Sequence, residues 1–151
     1  MMKNLILSAV SIFIFDSCNS VKPGDSTLNE IVPYKEAKNY FVKNTVLAAL
    51  DDPKIENQED FDKVFGMAAT MGENGKPTSI DFSKEFVVAQ VEEPSTQTIE
   101  LKPISIRKNS NILEIKYKRI VGETQSYTSQ SSMILIIDKK YYADINLQEL
   151  Q

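Results

Sequence analysis

The sequence predicts an α+β domain, mainly antiparallel β-sheet or a small β-sandwich of about five to six strands, with one short helix. Three patterns lead there. Phe86–Val91 and Met133–Ile137 are apolar on both faces, as strands covered from two sides must be. Leu113, Ile115 and Tyr117 alternate with Glu114, Lys116 and Lys118, and Tyr141, Ala143, Ile145 and Leu147 alternate with Tyr142, Asp144 and Asn146, the mark of half-buried strands. Phe61, Val64, Phe65 and Ala68 recur at spacings of three and four, a single apolar helical stripe.

Taken in order, the chain opens with Met1–Lys3 as a charged start and Leu5–Phe15 as an apolar run. Asp16-Ser17-Cys18 follows, where a bacterial lipoprotein signal would be cut and lipidated. The run is shorter than the ~20 residues a spanning helix requires, so removal is expected rather than retention. Residues 1–17 then form the signal peptide, and Cys18 the acylated anchor. Residues 18–33, small, polar and turn-forming, form a flexible tether, and 34–151 a single β-rich domain. Two or three acyl chains, each buried methylene contributing ~0.8 kcal/mol, would hold the protein on a membrane.

Tyr34–Leu50 reads either way. Tyr34, Ala37, Phe41, Thr45 and Ala48 share a helical face, while Tyr40–Val46 is rich in strand formers; the strand is preferred. Asp51-Asp52-Pro53 ends it, because Pro turns its predecessor away from the helical region. Asn57, Glu59 and Asp60 place acceptors and acids at the start of a helix expected over Gln58–Ala69, and Met71–Pro77, with two glycines, forms a loop. Along Thr98–Arg107 the apolar phase slips at Pro103, predicting a bulge or an edge. Lys108–Asn111 and Asp138–Lys140 read as short hairpin connections, so the last two strands should be antiparallel neighbours.

Composition narrows the chemistry. With 17 basic and 21 acidic residues the chain carries −4, and no basic stripe with interleaved aromatics appears, so nucleic acid is not an expected partner. There is no His, which removes imidazole bases, Ser-His and Cys-His nucleophiles and His-based metal sites. The one cysteine is assigned to lipid, leaving none for a disulfide. Ser105 and Lys108 match a Ser-x-x-Lys spacing, but that spacing aligns two side chains on a helix and separates them on a strand. Asp51, Asp52, Glu56, Glu59, Asp60 and Asp62 lack the order of a calcium loop and read as a solvated helix start. Gly72 and Gly75 follow a helix instead of linking strand to helix, so they build no phosphate cradle. No catalytic residue, metal or cofactor is expected.

Binding surfaces offer more. Gly122–Ser132 is a polar stretch around one aromatic. Gln125, Tyr127 and Thr128 are its candidate contacts, because a rigid Tyr among small hydrogen-bonding groups suits protein recognition. Met67–Lys76, with Met67 and Met71 framing a glycine loop, is a second candidate.

Ile80-Asp81-Phe82-Ser83-Lys84-Glu85-Phe86-Val87-Val88-Ala89, together with Ile134–Lys140, resembles the C-terminal domain of PrcB, a protease-complex subunit, over residues 80 to about 140. The mature chain is also similar to uncharacterised lipoproteins of gut Bacteroidetes. The resemblance implies a non-catalytic, protein-binding role associated with, or inhibiting, a secreted protease. Glu92–Thr96 stands where that family carries glycines, so no functional residue is transferred. The expectation is a lipid-anchored cell-envelope protein, at the outer membrane and facing the periplasm or the exterior. A carboxylate-based hydrolase and a small-ligand or glycan-binding lipoprotein stand as alternatives.

Overall fold

A computed structural model describes residues 29–68 and 75–151. Residues 1–17, expected to form a signal peptide, lie outside the described residues, as do Cys18 and Met71. Two four-stranded sheets pack face to face, and a third, smaller layer covers the outer face of one of them.

The middle sheet is built on the two fully apolar runs. β6 (Glu85–Val91) and β9 (Ser132–Asp138) pair antiparallel in unbroken register, flanked by β2 (Tyr34–Glu36) on β9 and β4 (Lys54–Ile55) on β6. Strand alternation divides their side chains. Phe86, Val88, Met133, Leu135 and Ile137 face one core, and Val87, Ala89, Val91, Ile134 and Ile136 face the other. Both runs are therefore central and covered on both sides, as the sequence predicts.

The outer sheet runs β1 (Glu30–Ile31), β7 (Ser95–Asn109), β8 (Ile112–Ser129), β10 (Asp144–Leu150). Its inward residues Leu101, Ile106, Leu113, Ile115 and Tyr117 meet the middle sheet. Pro103 sits at a register shift between Pro103 and Ser105, the bulge that the slipped apolar phase requires. Ser110 turns the β7–β8 hairpin with a φ of 53°, in the left-handed region.

Several boundaries move. The folded part begins before Tyr34: β1 pairs with Arg107 and Lys108, and Val32, 1% exposed, is in the core, so the last part of the expected tether is structural. Of Tyr40–Val46, only β3 (Tyr40–Val42) is strand. Helix α1 spans Gln58–Val64 and stops well short of Ala69. Its start is as expected, with Asn57 Oδ1 accepting from the Asp60 N–H at 2.9 Å and Nδ2 donating to Asp60 Oδ2 at 2.8 Å. Phe65 then turns extended, and β5 (Phe65–Met67) pairs antiparallel with β3. Gly66, poor in a helix by about 1 kcal/mol, pairs there with Phe41. Burial of Phe65 satisfies the apolar stripe without further helix.

The last connection also differs from the expectation. Lys139–Tyr141 forms a 3₁₀ turn that carries the chain from the middle sheet to the outer one, where β10 pairs parallel with β8 rather than antiparallel with β9. Ile145 and Leu147 pack on the same core as β9 from across the sandwich, so the apolar alternation holds although the neighbour does not. The two strands share a core without sharing a ladder.

Glu85, at the start of β6, takes Lys35 Nζ on Oε1 at 2.6 Å and the Asp81 N–H on Oε2 at 3.0 Å. Burial alone would raise its pKa, but the Lys35 hydrogen bond, the Asp81 amide and the Lys35 charge together lower it below the ordinary 4.5. Stability from this group is present above pH 4.5 and is lost as pH falls through the lowered folded pKa. The expected result is that Glu85→Gln flattens the acid limb of a stability–pH curve taken by urea unfolding. An unchanged limb would show that the pair contributes nothing.

Candidate functional site

The chain crosses between the two sheets twice at one end of the sandwich. Glu92–Pro94 leads from β6 to β7, and Gln130-Ser131 leads from β8 to β9. Polar groups tie these crossings together. The Glu92 N–H donates to the Ser131 carbonyl at 2.9 Å, Gln130 Nε2 to the Glu92 carbonyl at 2.9 Å, and Ser131 Oγ to the Ile99 carbonyl at 2.6 Å. Arg119 Nε meets Glu92 Oε2 at 2.7 Å, and that hydrogen bond holds the guanidinium above its ordinary pKa. Burial, then the charges of Glu149 and Glu92, raises the neighbouring Tyr117.

Beside this end, β8 extrudes residues. Gln97 pairs with Thr124 and Ser95 with Ser129, so the four residues Gln125–Thr128 stand opposite the single Thr96. Most of the polar stretch Gly122–Ser132 is thus a bulged length of strand. Tyr127 is on it, 63% exposed. Gln125 is half-buried, its Nε2 reaching Ser129 Oγ at 3.4 Å across the bulge.

A cleft of about 550 Å³ lies between the crossing and the third layer. Phe41, Val42, Asn44 and Leu47 line it from β3 and the segment after it; Pro94, Thr128, Ser129 and Gln130 line it from the crossing. None of these side chains is charged. Phe41 is 49% and Leu47 70% exposed, a large apolar display for residues so close together in sequence. The Phe41 ring lies over its cross-strand partner Gly66, where an added Cβ would push the exposed ring aside.

Of the sequence-predicted residues, Thr128 lines the cleft, while Tyr127 and Gln125 stand beside it on the bulge. Met67, from the second candidate segment, is exposed on a separate hollow of about 320 Å³ with Tyr40, Lys43 and Asp62. Ser129 and Gln130 belong to the candidate stretch Gly122–Ser132, whereas Phe41, Leu47 and Pro94 lie outside both candidate segments. Phe41 and Leu47 flank Val42-Lys43-Asn44-Thr45-Val46, and their apolar character serves a helical or a strand period equally well.

No protein-family model, curated protein or solved structure matches the chain.

The chemistry weighed from sequence finds these placements. Ser105 lies opposite Lys116, and Lys108 opposite Leu113, with Lys108 Nζ donating to the Tyr142 carbonyl at 3.2 Å. The Ser-x-x-Lys spacing therefore brings no nucleophile and base together. Asp60 is lowered by hydrogen bonds from Lys63 and Asn57, and Asp81 by those from Ser83, so these carboxylates favour the ionised form. Among the described residues no group of three or more His, Cys, Asp or Glu is placed to hold a metal ion. No helix of the described residues is long and apolar enough to cross a membrane.

Proposed function

We propose that this is a lipid-anchored envelope protein, acylated at Cys18, whose β-rich domain is a non-catalytic module that binds another protein. The cleft beside the sheet crossing receives that partner, with the Tyr127 bulge at its rim. The observation that carries this reading is the lining of the cleft: eight residues without a charge, two of them large, apolar and exposed. Desolvating such a surface costs little, and an aromatic in a pocket surrounded by neutral contacts is the usual energetic centre of a protein interface. A secreted protease or its complex is the partner class, on the resemblance of residues 80 to about 140 to the PrcB domain. The alternatives have weaker support. A carboxylate hydrolase needs an acid held protonated, whereas Asp60, Asp81 and Glu85 are all displaced the other way. A sugar site needs several aromatic faces around one groove, and among the described residues that line this one Phe41 is the single aromatic.

The test is capture from cell-envelope extract with the full-length protein in detergent. A stoichiometric partner is expected, and Phe41→Ala and Tyr127→Ala should each weaken it at least about tenfold, or ~1.4 kcal/mol. A partner held equally well by both variants would move the interface elsewhere. Mass spectrometry of the native product settles the anchor separately: an intact, unmodified leader would remove it.

A further inference from the structure

An open strand edge offers unpaired N–H and C=O groups, and folded proteins blunt such edges. The edges of this sandwich are treated unequally. β1, β2 and β4 are only two or three residues long. The outer edge of β7 before its short pairing with β1 carries Lys102, Pro103 and a register shift. The part of β8 that runs past β10 carries Gly122 and the four-residue bulge. β10 is longer and regular, and its charges are confined to Asp144 and Glu149 near its two ends. Its seven residues, Asp-Ile-Asn-Leu-Gln-Glu-Leu, hold no Pro, Gly, Lys or Arg, and its register with β8 is continuous from Asp144 to Leu150. Among the described residues no strand pairs with its other side.

We propose that β10 pairs antiparallel with β10 of a second copy of this chain, joining the two outer sheets into one of eight strands. The sequence of the edge is self-complementary about Leu147. With Leu147 on the two-fold axis, Asp144 falls opposite Leu150 of the second copy, Ile145 opposite Glu149, and Asn146 opposite Gln148. The only charges on the strand, Asp144 and Glu149, therefore never face a like charge. On the inward face Leu147, half-buried against the core in one copy, gains the second copy's Leu147 as cover, and Ile145 meets the aliphatic stem of the second copy's Glu149. On the outward face two carboxamide pairs lie across the axis. A two-fold axis normal to the sheet makes this contact isologous and closed, so the product is a dimer rather than a fibre. A contact of one strand is small, so the dimer is reversible and depends on concentration.

Native mass spectrometry of the full-length protein across a concentration series tests this. A species of twice the chain mass is expected to grow with concentration. Asn146→Lys combined with Gln148→Lys sets like charges opposite one another at two places and should abolish it. Asn146→Lys combined with Gln148→Glu sets opposite charges there and should restore it, now weakened by added salt. The second combination also suits the neighbouring strand, since Asn146 lies beside Glu114 and Gln148 beside Lys116. A monomer at every concentration overturns the proposal. So does a dimer indifferent to the double lysine change, or an opposite-charge pair that stays monomeric.

Discussion

Phe86→Ala is expected to lower the unfolding free energy by about 3–5 kcal/mol, a large part of the roughly 5–15 kcal/mol that a domain possesses. The ring is 0% exposed, points from β6 into the core between the two sheets, and meets Tyr142 edge-on at 5.5 Å. Its register partner Ile137 is equally buried. The size of the effect follows from what surrounds the ring. β6 is hydrogen-bonded on both sides, to β4 and β9, so the backbone is not free to collapse into the space left by the phenyl group. Urea unfolding followed by far-UV circular dichroism measures it. Ile120→Ala, on the exposed part of β8, serves as the control and should change stability by no more than about 0.5 kcal/mol. A loss below about 1 kcal/mol for Phe86→Ala would mean that this face is not the main core.

The two strands that carry that core were legible in the sequence because their signal is local. A run apolar on both faces has few places to go except the middle of a layered fold. The helix start and the slip at Pro103 were legible for the same reason: a side-chain cap and a missing N–H act within a few residues. The misplaced features depend on distant partners. Nothing in Phe65-Gly66-Met67 announces that it pairs with Tyr40–Val42, and a 3, 4 spacing continues equally well into a helix. The Asp138–Lys140 turn is short enough for a hairpin, yet Asp138 caps a 3₁₀ turn by accepting from the Lys140 N–H, and that turn crosses to the opposite sheet. The candidate site divides along the same line. Tyr127 and Thr128 stood out by composition, but the cleft exists because two crossings and a β3 segment distant in sequence meet at one end of the sandwich.

Phe61→Ala should cost a similar ~3–5 kcal/mol, and it should act on the proposed binding surface as well as on the fold. Phe61, 1% exposed, is the hub of the third layer: its ring meets Tyr40 at 5.1 Å, Phe65 at 5.0 Å and Phe82 at 5.9 Å. Helix α1 has seven residues, too few to be stable alone, and a two-stranded pair such as β3–β5 is marginal in water. The layer therefore stands on tertiary contact, and the aromatic cluster supplies much of it. Removing the ring should open this layer before the sheets. Amide exchange should rise at Lys43, whose N–H donates to the Val64 carbonyl, and at Ala68, bonded to the Asn39 carbonyl, while the β6–β9 amides change less. Because Phe41 and Val42 line the cleft from β3, partner capture should fall in the same variant although no lining residue has been altered. Uniform exchange across both sheets and the third layer would instead show one cooperative unit. Capture unchanged despite faster exchange at Lys43 and Ala68 would separate the cleft from the layer that builds half of it, and the proposed interface would have to be sought elsewhere.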